Sequence, residues 1–391
     1  MKKLKLRSKE WFDNPKDPGL TALYLERYLN YGLTRKDLQS GKPIIGIAQS
    51  GSDLSPCNRH FLKLSDQIKK GIREAGGVPM EFPTHPIQET GKRPTAALDR
   101  NLSYLSLVEV LYGYPLDGVV LTTGCDKTTP AALMAAATVN IPAIVLSGGP
   151  MLDGHYKGKK AGSGTIIWEA RKLYSKGEID YDEFMDMATA SSPSVGHCNT
   201  MGTASTMNSI AEALGMSLPG CAIIPAPYPE RKKISYKTGK RIVGMVRENL
   251  TPSKIMTKKA FENAVVVASA IGGSSNATTH LIAIAKHMGV RFDLSNWQKL
   301  GHKIPLLVNC QPAGTHLMEG FYKAGGVPAV MKELIKNKKL NTNVLTVTGK
   351  RLGDNLKNKI KVNQDVIKNY QNNLTENAGF LVLKGNFLVQ Q

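Results

Sequence analysis

The chain has 391 residues, 41% of them apolar, with 37 Gly, 21 Pro, five Cys and a net charge of +20. That apolar content excludes a disordered or collagen-like chain, and so few cysteines over such a length exclude a disulfide scaffold. The length provides for a sizeable core and more than one domain. Met1 to Asn14, MKKLKLRSKEWFDN, is basic but lacks an apolar stretch, so it is not read as a secretory signal. The longest apolar run, near 131–146, is broken by Asn140 and Pro142 and is shorter than the roughly 20 residues a spanning helix needs. The expectation is a cytoplasmic protein with reduced thiols and no membrane partner. Lysines and arginines are scattered, and aromatics are only 6% with no basic segment interleaving them. No nucleic-acid partner is therefore expected; the charge solvates the surface and attracts small anions.

Residues 1–40 read as a charged helical entry segment. Residues 43–48 form a short apolar run bounded by Gly and Ser, a buried-strand signal. Phe61, Leu64, Ile68 and Ile72 recur at helical spacing, Gly76-Gly77 ends that helix, and 78–82 reads as the next strand. Helix over 101–112, strand over 118–122, helix over 130–138 and strand over 143–146 follow. Strict alternation predicts a three-layer α/β/α sandwich with a mainly parallel sheet, whose ligands bind beyond the carboxyl ends of the strands. The second half reads as more helical, over 205–214, 260–270, 277–288 and 328–337, and 379–386 reads as a new strand and turn. The domain reading is an entry segment 1–40, an α/β domain 41–360 and a linker with the start of another domain, 361–391.

Three cysteines, Cys57, Cys125 and Cys198, sit in polar loops bearing Gly or Pro, whereas Cys221 and Cys310 sit in apolar surroundings as buried thiols. No CxxC pair is present, which disfavours a zinc ribbon, and spacing alone makes three distant cysteines a weak metal signal. Cys125 follows a strand, with Thr129 and Pro130 suited to open the next helix, and Cys198 precedes the helix opened by 203–205. A helix N-terminus favours a thiolate at each. Asp126 sets a hard oxygen beside the sulfur of Cys125, which suggests two metals, soft iron and hard Mg²⁺. Glu89 offers a second carboxylate. The plain alternatives are a turn or cap role for Asp126 and a solvated loop acid at Glu89. Lys127 suits a cation site only if neutral or carbamylated. Ser147 and Ser274 stand in glycine-rich turns that suit a substrate or a plain cap. His85, His155 and His280 read as structural, and His197, beside Cys198, as an active-site wall.

Together the motifs resemble the dihydroxy-acid and sugar-acid (aldonate) dehydratases. The stretches are PCN at 56–58, GCDKTTPA at 124–131, SGGPM at 147–151, GHCNTMGTASTMN at 196–208, LPG at 218–220 and TKKAFENA at 257–264. IGGSSNATTHLIAIA at 271–285, AGTHLMEGFYKAGGVPAV at 313–330 and VTGKRLGDNL at 347–356 extend the likeness to about residues 20–386. The resemblance implies iron–sulfur ligation by Cys57, Cys125 and Cys198, a [2Fe–2S] cluster in the sugar-acid branch or [4Fe–4S] otherwise. It implies Mg²⁺ held by Asp126, carbamylated Lys127 and Glu89. The implied function is a hydro-lyase dehydrating a sugar acid to a 2-keto-3-deoxy acid. The alternatives are a dihydroxy-acid dehydratase of branched-chain amino-acid biosynthesis and an inactive fragment of either. The form of residues 196–207 is closer to the sugar-acid branch. His197, Ser147 and Ser274 are expected to face a small anionic acid, and a homodimer or tetramer is implied. Members of the family carry a further β-barrel-like domain with the serine base and another Mg²⁺ carboxylate. That domain is expected to be largely missing here, so no catalytic base is assigned within this chain.

Overall fold

The computed structural model describes residues 5–89, 96–383 and 385. Three short helices, α1 (Lys9–Phe12), α2 (Pro18–Leu29) and α3 (Arg35–Gln39), lead into an alternating unit. That unit is β1 (Ile44–Gln49), α4 (Phe61–Glu74), β2 (Val78–Pro83), α5 (Ala97–Gly113), β3 (Gly118–Thr123), α6 (Thr128–Val139) and β4 (Ala143–Ser147). A small hairpin, β5 (Gly154–Tyr156) and β6 (Lys159–Ala161), precedes α7 (Thr165–Ser175), α8 (Tyr181–Thr189) and α9 (Thr203–Ala213). The rest is helical: α10 (Pro229–Arg247), α11 (Pro252–Ile255), α12 (Lys258–Ala270), α13 (Asn276–His287), α14 (Leu294–Gly301), α15 (Met318–Lys323), α16 (Gly326–Lys336) and α17 (Leu352–Asn355).

The main sheet is parallel throughout, in the order β2-β1-β3-β4, with Ala48 of β1 beside Phe82 on one side and Leu121 on the other. Every residue of β1, β3 and β4 is buried, which requires cover on both faces, whereas β2 alternates as an edge strand does. One face carries α4 and α10, packed on each other and on the strands; α5 and α6 pack together against the sheet as the second layer. From β1 the chain steps outward to β2, then crosses back past β1 to β3. That reversal makes a crevice between the carboxyl ends of β1 and β3, the position where open α/β sheets bind ligands.

The four strands predicted between 43 and 146 and the core helices are present, with helix starts displaced by a few residues. Residues 8–40 are largely helical, and Asp117 accepts the N–H groups of Ile44 and Ser8, fastening that segment to the sheet. The β5–β6 hairpin, the α7–α8 pair with its small core of Ala161, Ile166, Ala170 and Met187, α10, and the short helices α11, α14, α15 and α17 have no counterpart in the sequence reading. Leu306 pairs with Thr375 and Val308 with Ile367 by isolated bridges, and Val366 and Ile367 lie in a second core. The strand expected from 379 does not form over 379–383; residue 384 and residues 386–391 lie outside the described residues. Among the described residues no helix is long and apolar enough to cross a membrane.

Candidate metal centre

Three loops meet at the crevice. Cys57 follows β1, Cys125 follows β3, and Cys198 approaches the start of α9. The Cys125 thiol hydrogen-bonds Cys57, Cys57 feels the charge of Cys198, and Cys198 feels that of Cys125. Each sulfur also accepts a bond from a fixed donor: the Gln88 amide to Cys57 at 3.5 Å, the Glu89 backbone N–H to Cys125, and the Ser163 hydroxyl to Cys198 at 3.4 Å. Cys310 behaves differently, its thiol donating to the Leu317 carbonyl while burial pushes its pKa up to about 12.

The electrostatics differ from the sequence expectation of thiolates at helix N-termini. Only Cys57 is lowered, because the Cys125 thiol donates to it; Cys125 is raised by that same bond and by burial, and Cys198 is raised by burial. The helix termini are outweighed by desolvation and by the neighbouring sulfurs.

The acidic side of the crevice is built on the same loop. Lys127, 4% exposed at its side chain, stands 2.9 Å from the Glu89 carboxylate. Asp126 faces both charges, accepts the Ala204 N–H at the start of α9, and has its pKa raised, chiefly by burial. Asp126 thus has the cap role left open by the sequence, but for α9 rather than for the helix that follows it. Thr129 does not cap α6: that helix begins at Thr128, whose hydroxyl donates to the Cys125 carbonyl, while Thr129 donates to Asn208.

Two asparagines escaped the sequence reading. Asn58, fully buried, accepts the Cys125 N–H through Oδ1 at 3.1 Å, and a side chain at Gly124 would strike it. Asn208, also fully buried, accepts from Thr123 and Thr129 and donates to the carbonyls of Gly124 and Ala204, joining the Cys125 loop to α9. Each is the last residue of a cysteine-bearing stretch, 56–58 and 196–208, the signal that could have found them.

Ser147, Ser274 and His197 are placed differently. Ser147 is 1% exposed and donates to the Ala222 carbonyl, and the Gly148 and Gly149 N–H groups are taken by Thr123 and Ser147. That loop is gripped by buried Arg231, which donates to the carbonyls of Ser147, Cys221 and Ile224. His197 is fully buried; its Nδ1 donates to the Cys198 carbonyl, and its backbone exchanges bonds with Gly149 and Met151, so it braces the Cys198 loop. Ser274 is half-buried at the start of α13 and pairs with Thr203 at the start of α9, on the Asp126 side.

Among the described residues no three His, Cys, Asp or Glu side chains close around one point as a ready single-ion site. The donors form two sets instead, three sulfurs with N–H or O–H support and two carboxylates with a buried lysine. These sets fit an iron–sulfur cluster and, if Lys127 carries a carbamate, a hard cation.

Residues 42–355 match the family model described as dihydroxy-acid/6-phosphogluconate dehydratase N-terminal. The chain belongs to this dehydratase family. A D-xylonate dehydratase from Caulobacter vibrioides is 60% identical over 98% of this chain. An L-arabinonate dehydratase from Rhizobium leguminosarum bv. trifolii is 45% identical over 98%. A dihydroxy-acid dehydratase from Caldanaerobacter subterraneus subsp. tengcongensis is 40% identical over 92%. The chain spans 64% to 66% of the length of these dehydratases.

Proposed function

We propose that this chain supplies the metal- and substrate-holding part of a hydro-lyase that converts a sugar acid to a 2-keto-3-deoxy acid. The observation carrying the reading is the meeting of Cys57, Cys125 and Cys198 with Glu89, Asp126 and Lys127 in one crevice. Cys57, Cys125 and Cys198 would hold a [2Fe–2S] cluster, and Glu89, Asp126 and carbamylated Lys127 would hold Mg²⁺. When bound, these groups supply Lewis acidity to the departing C3 hydroxyl and charge stabilisation to the C2 carbanion.

The chain's own residues prepare that chemistry. Carbamylation reverses the sign of Lys127, so the attraction to Glu89 becomes a repulsion that only a cation between them relieves. Asp126 accepts the Ala204 N–H, which orients its carboxylate at the start of α9. Removal of the C2 proton and loss of the C3 hydroxide release one water and leave an enol that tautomerises to the ketone. No residue of this chain is assigned as the base. The higher identity to D-xylonate dehydratase than to dihydroxy-acid dehydratase supports a sugar acid over a branched dihydroxy acid.

The test joins the chain to the C-terminal third of the Caulobacter relative, reconstitutes it anaerobically with iron, sulfide and Mg²⁺, and assays 2-keto acid from D-xylonate. Product is expected, and Asp126→Ala should abolish it. A chimaera without activity, beside an active parent enzyme, contradicts the reading.

A further inference from the structure

His280 lies on α13, one turn beyond Asn276, and is 4% exposed. Arg100 of α5 donates from Nη1 to its Nδ1 at 2.9 Å, and Arg100 is itself fixed by two bonds to the Asn101 side chain. A guanidinium can only donate, so Nδ1 is the acceptor and the imidazole proton resides on Nε2. Burial, with the charges of Arg100 and Lys127, lowers the pKa to about 3, so the ring stays neutral at physiological pH. The Nε2–H is therefore a buried donor, and it has no acceptor among the described residues. Leaving such a donor unmet is unfavourable, so a ligand that meets it binds the more tightly.

The surroundings say what meets it. Helix α13 packs on α6, whose preceding residue is Lys127. The start of α13 is hydrogen-bonded to Thr203 through Ser274 and Asn276, beside Ala204, which holds Asp126. A neutral N–H donor at this place needs an acceptor, and the oxygen atoms of a hydroxyl-bearing acid supply one.

We propose that His280 is a substrate-binding residue, its Nε2–H donating to a hydroxyl or carboxylate oxygen of the polyhydroxy acid, with Arg100 as the positioning residue that fixes the tautomer. The inference rests on the sugar-acid reading above and names a residue for it. Histidine-selective ¹⁵N labelling of the full chain tests it, with His280 assigned from its loss in His280→Gln. Long-range ¹⁵N–¹H spectra should show Nε2 protonated and Nδ1 bare. Titration with D-xylonate and Mg²⁺ should shift the Nε2 signal. His280→Leu should raise the Kd for D-xylonate roughly tenfold, and His280→Gln, which retains a donor, should recover most of the loss. Arg100→Gln should yield mixed tautomers. Ligand shifts elsewhere with none at Nε2, or an unchanged Kd in His280→Leu, overturn this inference alone. An unaltered tautomer in Arg100→Gln overturns the positioning role, and no response anywhere to the ligand overturns the sugar-acid reading with it.

Discussion

Three buried imidazoles set the acid limit of this molecule. Burial first of all lowers His60 to about 4, His197 to about 3 and His280 to about 3, against about 6.5 in an unfolded chain. The folded state then binds fewer protons than the unfolded state below about pH 6.5, so this stability is complete above that pH and drains away as pH falls toward those values. Glu212 acts in the opposite sense. Buried beside the N–H groups of Gly220 and Ala222, it is raised to about 7, so the folded state gains a proton there on acidification. Three histidines outweigh one glutamate, with a net loss on the order of 3 kcal/mol from pH 7 to pH 5. Thermal unfolding followed by circular dichroism should give a lower Tm at pH 5, and a Tm that rises toward pH 5 contradicts this balance.

At the scale of elements, the closest packing is the crossing of α4 and α10 over the sheet. A methyl at Gly71 would run into the Tyr236 carbonyl, and one at Gly239 into the Ile68 carbonyl, so two backbones touch where side chains usually intervene. Gly239→Ala gains about 1 kcal/mol of helix propensity but forces the helices apart. A net destabilisation of about 2 kcal/mol is expected, read as a lower urea midpoint, and an unchanged midpoint would mean that the crossing has slack. The same pair shows what a sequence reveals. Helix α4 announces itself through Phe61, Leu64, Ile68 and Ile72 at helical spacing. Helix α10 does not, because half of its buried face is Arg231, Ser235, Thr238 and Gly239, and its lysines read as a solvated charge cluster. The strands were legible since β1, β3 and β4 are short, continuous apolar runs between turn residues. The three cysteine loops were legible from residue type and from their place after strands or before a helix. Asn58 and Asn208 were not, because a buried amide that satisfies loop backbone has no pattern until the loops are brought together. The thiol pKa directions were also hidden, since they depend on burial and on which sulfur donates to which.

At the scale of the whole molecule, the sheet topology and the chemistry coincide. The reversal of strand order at β1 opens a crevice, the loops after β1 and β3 bring Cys57 and Cys125 to it, and α9 brings Cys198. The chain spans 64% of the D-xylonate dehydratase it resembles, so its own contribution is best measured as metal capture rather than turnover. Anaerobic reconstitution of the chain with ferrous iron and sulfide, followed by iron analysis and visible absorption, is that measurement. The account predicts a brown protein with about one cluster per chain. It also predicts that Cys125→Ser stays colourless while Cys221→Ser, a change at a thiol outside the crevice, keeps the cluster. A colourless wild-type chain, or a Cys125→Ser variant that takes up as much iron as wild type, would contradict it.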